Sequence, residues 1–209
     1  MFIIFGSPRS GTTICAQTLS AHPDVMIPKE TDFSVPMVFI YTRILDQRRG
    51  REMITRLIIN SRAYKDSIGE YIHPGKLQEL VEKSHYHPSC ILGSIYNQIA
   101  AHTNARIAGD KSPNDLDYIK ILVESESISG IKVLHLVRDV RDLMVSLNRT
   151  GWLQDADDYF PRLWSNNNLY LYYKYRHKSE EYFLVRYEDM VKKPKTTFAD
   201  ICKFLEVDF

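Results

Sequence analysis

FGSPRSGTT, residues 5–13, decides how this chain is to be read. It follows Phe2-Ile3-Ile4-Phe5, a short apolar run of the kind expected in a buried parallel strand, and it leads into a helical segment from Gly11 to Ala21. Strand, glycine-bearing loop and helix together make the context of a phosphate-binding P-loop. The Walker pattern G-x-x-x-x-G-K-[ST] is met at Gly6, Gly11 and Thr13, but Thr12 stands in the lysine slot and Arg9 lies inside the loop. Glycines let such a loop turn sharply, so that successive N–H groups and the next helix's N-terminus point at one anion. Ser10, Thr12 and Thr13 add hydroxyl donors, and Arg9 adds a fixed charge. In a nucleoside triphosphatase the lysine reaches the β- and γ-phosphates and the hydroxyl holds Mg²⁺. Its absence points to a smaller, less charged group that needs no metal.

Working outward, strands and helices alternate. Val25-Met26-Ile27 reads as a second strand ended by Pro28, Arg106–Gly109 as a third, Ile131–Val137 as the clearest buried strand, and Phe183-Leu184-Val185 as the last. Residues 33–105 read as mostly helical, with breaks near Gly50, at His73-Pro74-Gly75 and at His87-Pro88. Ser112-Pro113 reads as an N-cap with proline at the first helical position, and further helices are expected from about Val140, over roughly 157–178, and over Lys195–Leu205. The expected fold is α/β: a three-layer parallel sheet with a P-loop-like core, in a single domain over 1–209 with a helical insertion at about 33–105. Ligands of such sheets bind at the carboxyl ends of the strands, so functional residues are sought just after them.

Composition narrows the classes. The chain has 209 residues, 44% hydrophobic and 25% charged, with a formal net charge of +1, so no global field draws it to nucleic acid or to a membrane surface. Cys15, Cys90 and Cys202 are scattered, lack metal-ligand spacing and fit a reducing compartment; the cytoplasm is the expected location. The first apolar run is too short for a signal peptide or a membrane span.

A second anion-binding stretch is LVRDVRDLMVSLNR, residues 136–149. Arg138 ends the strand, and Ser146 lies eight residues on, about two helical turns away, so the two can clamp a phosphate. The plainer alternative is that Arg138, Asp139, Arg141 and Asp142 pair on a solvated helix start.

Together, GSPRSGTT and RDVRDLMVS resemble the 5′-phosphosulfate and 3′-phosphate loops of the sulfotransferases, which use 3′-phosphoadenosine 5′-phosphosulfate (PAPS) as donor. The likeness extends to His22-Pro23-Asp24 and to Val185–Met190, similar to the family's V-x-Y-E-D-L segment, whereas residues 33–105 carry no shared motif. The closest motifs are those of the protein-tyrosine, carbohydrate and bacterial branches. The resemblance implies that Arg9, Ser10, Gly11, Thr12 and Thr13 hold the 5′-phosphosulfate, that Arg138 and Ser146 hold the 3′-phosphate, and that Tyr187 lies near the cofactor. It also implies a catalytic base at Glu30 of IPKETDF, residues 27–33, and a charge stabiliser at Lys111 of GDKSPND, residues 109–115, with Arg9 assisting. An attacking hydroxyl must lose its proton, which a carboxylate in reach takes up; stabilising the leaving oxygen is electrostatic work suited to a lysine. A histidine base, as in the small-molecule branch, remains open, with His102 and His135 as the candidates by chain position.

The implied reaction moves a sulfuryl group from PAPS to a hydroxyl of a small-molecule, carbohydrate or other acceptor and releases 3′,5′-ADP, without metal. Two alternatives stand beside it: a P-loop nucleotide kinase or NTPase, and a non-catalytic nucleotide-binding protein. Trp152 and Trp164 are further aromatic candidates for stacking or core, and Arg43, Arg48, Arg49, Arg51, Arg56 and Arg62 make the helical stretch basic. The family usually has a basic, glycine-containing segment after the closing helix to cover the adenine; this sequence ends at Val207-Asp208-Phe209.

Overall fold

A computed structural model describes residues 1–150 and 159–209, without the side chains of 113 and 114. Trp152 and the first residues of the helix expected over 157–178 lie outside the described residues. In chain order the elements are β1 (Phe2–Gly6), α1 (Thr12–Ser20), β2 (Val25–Met26), α2 (Ser34–Arg43), α3 (Gln47–Asn60), α4 (Arg62–Asp66), α5 (Pro74–Lys83), α6 (Pro88–Thr103) and β3 (Ile107–Lys111). There follow α7 (Ile119–Glu124), β4 (Lys132–Val137), α8 (Val140–Thr150), α9 (Tyr159–Tyr175), β5 (Tyr182–Arg186), α10 (Tyr187–Lys192) and α11 (Pro194–Leu205). Short 3₁₀ turns occupy Ile68–Glu70 and Pro113–Tyr118.

The five strands form one parallel sheet in the order β2-β3-β1-β4-β5. β1 is central: Ile4 lies level with Lys111 of β3 on one side and with Leu134 of β4 on the other. Successive side chains of a strand leave opposite faces, and here both faces are covered. Ile3 and Phe5 enter a core shared with Val38, Ile54, Ile58, Ile91, Ile95 and Leu171, drawn from the helices between β2 and β3 and from α9. Phe2 and Ile4 enter the opposite core with Cys15 and Leu19 of α1, Met190 of α10 and Phe198, Ile201 and Leu205 of α11. The all-apolar FIIF run therefore buries alternate residues in two separate layers.

Local signals set several of the helix starts. Asp46 accepts hydrogen bonds from the Arg48 and Arg49 amides at the start of α3 (2.9 and 3.2 Å), and Ser61 accepts one from the Tyr64 amide at the start of α4 (3.1 Å). Pro74 and Pro88 each begin a helix, α5 and α6, as the two breaks predict.

Three expectations are refined. The break expected near Gly50 falls at residues 44–46, between α2 and α3; Gly50 itself is buried inside α3, where the Tyr86 hydroxyl occupies the space a side chain would need, 1.8 Å from the position of a Cβ. The third strand runs two residues further than Gly109, through Asp110 and Lys111, whose buried side chains have partners on the loop after β2. Ser112 does stand at the N-cap position with Pro113 after it, but the element it opens is a 3₁₀ turn, and its hydroxyl bonds Asp110 and Thr31 instead of capping that turn.

Candidate active site

The P-loop closes at the end of β1. Arg9 (φ 69°) and Gly11 (φ 96°) both sit in the left-handed region, and the Ser10 amide donates to the Ser7 carbonyl at 3.0 Å. Left-handed backbone at Gly11 turns the chain into α1 with no side-chain cap and no acidic residue in the first turn. The helix therefore presents its first amides and the positive end of its dipole unneutralised, as an anion site requires.

Three other segments converge on this loop. Arg138, at the end of β4, donates from Nη1 to the Arg9 carbonyl at 3.0 Å. Arg9 Nε donates to Ser146 Oγ of α8 at 3.1 Å, so the two stretches singled out in the sequence meet through the Arg9 and Ser146 side chains. Tyr187, the first residue of α10, lays its ring beside Gly11, and the Arg138 guanidinium carbon lies 4.3 Å from the centroid of that ring. A cation–π contact of this kind contributes about 1 kcal/mol. Arg9, Gly11, Thr12, Thr13, Arg138 and Tyr187 line a small cleft of about 170 Å³. Ser10 is set apart: its Oγ is fully buried beside Gly6, has no hydrogen-bond partner and does not line the cleft.

The plainer reading of residues 138–142 is half right. Asp139 does pair with Arg141 (2.5 Å), and the hydrogen bonds from Arg141 hold its carboxyl down at about 2. Arg138 takes no part in that pair and turns to the loop. Glu188 of the Val185–Met190 segment accepts from the Asp139 amide (2.9 Å), fixing the start of α8 to α10.

On the other side of β1 lies a larger cavity of about 820 Å³, lined among others by Thr13, Lys29, Glu30, Asp32, Arg62 and Lys111. Glu30 and Lys111 are 81 residues apart in sequence and are brought together by the β2–β3 pairing. Lys111 Nζ donates to Glu30 Oε1; the Lys111 side chain is 10% exposed and that of Glu30 is 51% exposed. Thr13 lines both spaces, so the small cleft and the larger cavity share one side chain.

Neither candidate histidine lines this cavity. His102, on α6, packs edge-on against Tyr71 with ring centroids 5.9 Å apart. His135 is fully buried between Tyr182 Oη (2.7 Å) and Asn168 Oδ1 (2.8 Å), and burial pulls it down to about 4, so it stays neutral at physiological pH. Sequence reasoning missed the groups under the Glu30–Lys111 pair. Asp110 is buried with Thr31 and Ser112 bonded to its carboxylate, and burial raises its pKa. Asp115 follows, pushed up to about 8 by burial and by the Asp110 charge. Their signal was faint: the serine beside them reads locally as a helix cap, and a lone aspartate near a strand end carries no motif.

The sequence pattern of the sulfotransferase family matches residues 2–209. The chain belongs to the sulfotransferase family. It is an enzyme of that family, a transferase of sulfuryl groups, and the kinase and purely binding alternatives are set aside. Among solved structures, it is similar to the sulfotransferase domain of the olefin synthase of Synechococcus PCC 7002, with 24% identity over 100% of this chain and 74% of that one and a TM-score of 0.66. The sulfotransferase domain from the curacin biosynthetic pathway is 22% identical, with the same coverages and a TM-score of 0.62. A sulfotransferase from Alicyclobacillus acidocaldarius is 19% identical over 99% of this chain and 81% of that one, with a TM-score of 0.51. At these identities the structural likeness carries the fold, a P-loop-like sheet flanked by helices. No curated protein matches by sequence. Among the described residues, no helix is long and apolar enough to cross a membrane, and no three His, Cys, Asp or Glu side chains gather as a metal site would need.

Proposed function

We propose that this sulfotransferase draws its sulfuryl group from PAPS and passes it to a hydroxyl of an acceptor bound in the larger cavity, releasing 3′,5′-ADP. The observation that carries the donor is the composition of the small cleft: an uncapped helix start flanked by two arginines, with threonine where a triphosphate-binding loop has lysine. Arg138 lines that cleft, and its Nε is buried without a hydrogen-bond partner, a donor that the fold leaves unspent. These residues fit the group: Arg9, the amides from Gly11 to Thr13 and the Thr12 and Thr13 hydroxyls would hold the 5′-phosphosulfate, and Arg138 with Ser146 the 3′-phosphate. Tyr187 would stiffen the arginine. Ser10 supports the loop from within. When bound, PAPS supplies an activated sulfuryl group on a leaving phosphate.

Glu30, on the cavity wall, would take the proton from the acceptor hydroxyl at Oε1 or Oε2. Lys111 both orients that carboxylate and offers Nζ–H to developing negative charge, a stabilisation that water exclusion strengthens. Glu30 is favoured over a histidine because His135 is locked in the core and His102 faces Tyr71. The scheme needs no metal. With three free thiols, two of them buried, it suits a reducing, cytoplasmic setting and a single domain over 1–209 with its helices at 33–105 as an insertion that walls the acceptor cavity.

Calorimetry of 3′,5′-ADP and ATP, each run once with EDTA and once with magnesium, tests the donor. Micromolar binding of 3′,5′-ADP with none of ATP is expected; magnesium-dependent ATP binding would overturn the reading.

A further inference from the structure

Glu30 sits on an irregular stretch between β2 and α2 and is half exposed, yet its carboxylate meets a lysine anchored in the sheet. An ion pair with one partner this exposed holds little geometry on its own. The stretch is instead fastened on both sides of Glu30. Before it, the Lys29 amide donates to Ser67 Oγ at 3.2 Å. After it, Asp32 accepts from the Arg62 and Ala63 amides at the start of α4 (3.2 and 3.4 Å). The tightest fastening is at the neighbouring residue. Thr31 is buried; its Oγ1 donates to Asp110 Oδ2 at 2.9 Å, its amide donates to Ser112 Oγ at 3.2 Å, and its carbonyl accepts from that hydroxyl at 2.9 Å. Asp110 and Ser112 flank Lys111 on β3. The residues on either side of the base's partner thus grip the residue beside the base.

We propose that Thr31 is a positioning residue, whose hydroxyl, bonded to the buried Asp110 carboxylate within the Ser112 ring, holds Glu30 in register with Lys111. This rests on the proposed roles of Glu30 and Lys111 and assigns to Thr31 a part that neither the loop's sequence nor the family match carries. The chemistry favours a hydroxyl here. A buried carboxylate must be hydrogen-bonded to be tolerated, and the bonds from Thr31 and Ser112 oppose the upward push of burial on Asp110. Thr31 is buried while its neighbour Glu30 is half exposed, so loss of the inward bond frees the outward side chain to swing off Lys111.

Because the acceptor is unidentified, the test reads the pair and not turnover. The full chain is labelled with ¹³C at the lysine ε-carbons, and the Lys111 signal is assigned from the spectrum of Lys111→Arg. Glu30→Gln defines the position of the unpaired lysine. Thr31→Val is expected to move the Lys111 signal by more than half of the way to that position, while 3′,5′-ADP affinity stays within about twofold of wild type; Thr31→Ser is expected to restore the wild-type signal. A Thr31→Val spectrum with Lys111 unmoved overturns the proposal, as does a Glu30→Gln spectrum with Lys111 unmoved. If Thr31→Val does not fold, Ser112→Ala is read in its place, and a Lys111 signal unmoved there overturns the proposal equally. The base assignment fails separately, if Glu30→Gln turns over substrate at the wild-type rate, and that result leaves the Lys111 spectra unaffected.

Discussion

Arg138 stacks on Tyr187 while the same ring closes on Gly11, so one aromatic side chain braces both the arginine and the loop that flank the small cleft. Removing the arginine removes charge-assisted hydrogen bonds worth about 1.5–3 kcal/mol. Arg138→Ala is therefore expected to weaken 3′,5′-ADP binding by about 10- to 100-fold in calorimetry. Tyr187→Ala, which leaves the charge but not its brace, is expected to cost less, about 5-fold.

Gly11 faces two constraints at once. Its φ of 96° disfavours any side chain, and a Cβ there would lie 2.5 Å from the Tyr187 ring. Strain of this kind costs about 1–3 kcal/mol. Gly11→Ala is expected to lower the thermal midpoint and to weaken 3′,5′-ADP binding. Gly11→Ala combined with Tyr187→Ala is expected to be less destabilised than the sum of the two, because the collision is gone and only the backbone strain remains.

Glu30→Gln keeps shape and removes the proton acceptor. With any acceptor that the wild type turns over, kcat is expected to fall by about 10²- to 10⁴-fold, while the affinity for 3′,5′-ADP, whose proposed site is on the other side of Thr13, is expected to change by less than about twofold.

Stability is expected to decline between pH 6.5 and 8. His135 titrates near 4 when folded and near its ordinary 6.5 when unfolded, so its burial costs stability as pH falls from 6.5 to 4. Asp115 has the opposite sign: the folded chain keeps its proton to about 8 and the unfolded chain releases it near 3.8, so stability falls as pH rises across that window. The two slopes oppose each other below 6.5. Above it Asp115 still acts, at up to about 1.4 kcal/mol per pH unit; the raised carboxyl of buried Asp110 acts with the same sign, and the amino terminus, lowered from its ordinary 8.0 by burial, with the opposite one. Urea unfolding at pH 6.5 and 8 measures the difference; Asp115→Asn is expected to reduce it and to uncover more of the loss of stability toward pH 4 that His135 causes.

The donor side was legible in the sequence because most of its parts are local. Gly6, Gly11 and Arg9 lie within one nine-residue stretch, and Arg138 follows an apolar strand run at once, whereas Tyr187 was reached through the family resemblance. The acceptor side was legible only in outline. Glu30 and Lys111 were reached through the family resemblance, and the structure adds their contact. Thr31 and Asp110 left no local trace of their contact, since their bond crosses 79 residues, and Ser112 read locally as a helix cap although its hydroxyl reaches Thr31 across 81 residues. Gly50 misled for the converse reason: a helix-weakening glycine is kept by Tyr86, which lies 36 positions away in sequence and is invisible to any local rule.

The strand order divides the labour of the sheet. The small cleft draws on the ends of β1, β4 and β5, and the larger cavity on the ends of β2 and β3, with β1 between them. A ligand in the cleft is in effect a staple across one half of the molecule. Amide exchange should record this as geography: 3′,5′-ADP should slow exchange in β4, α8 and β5 and leave β2 and β3 near their free rates, until an acceptor draws the second half shut.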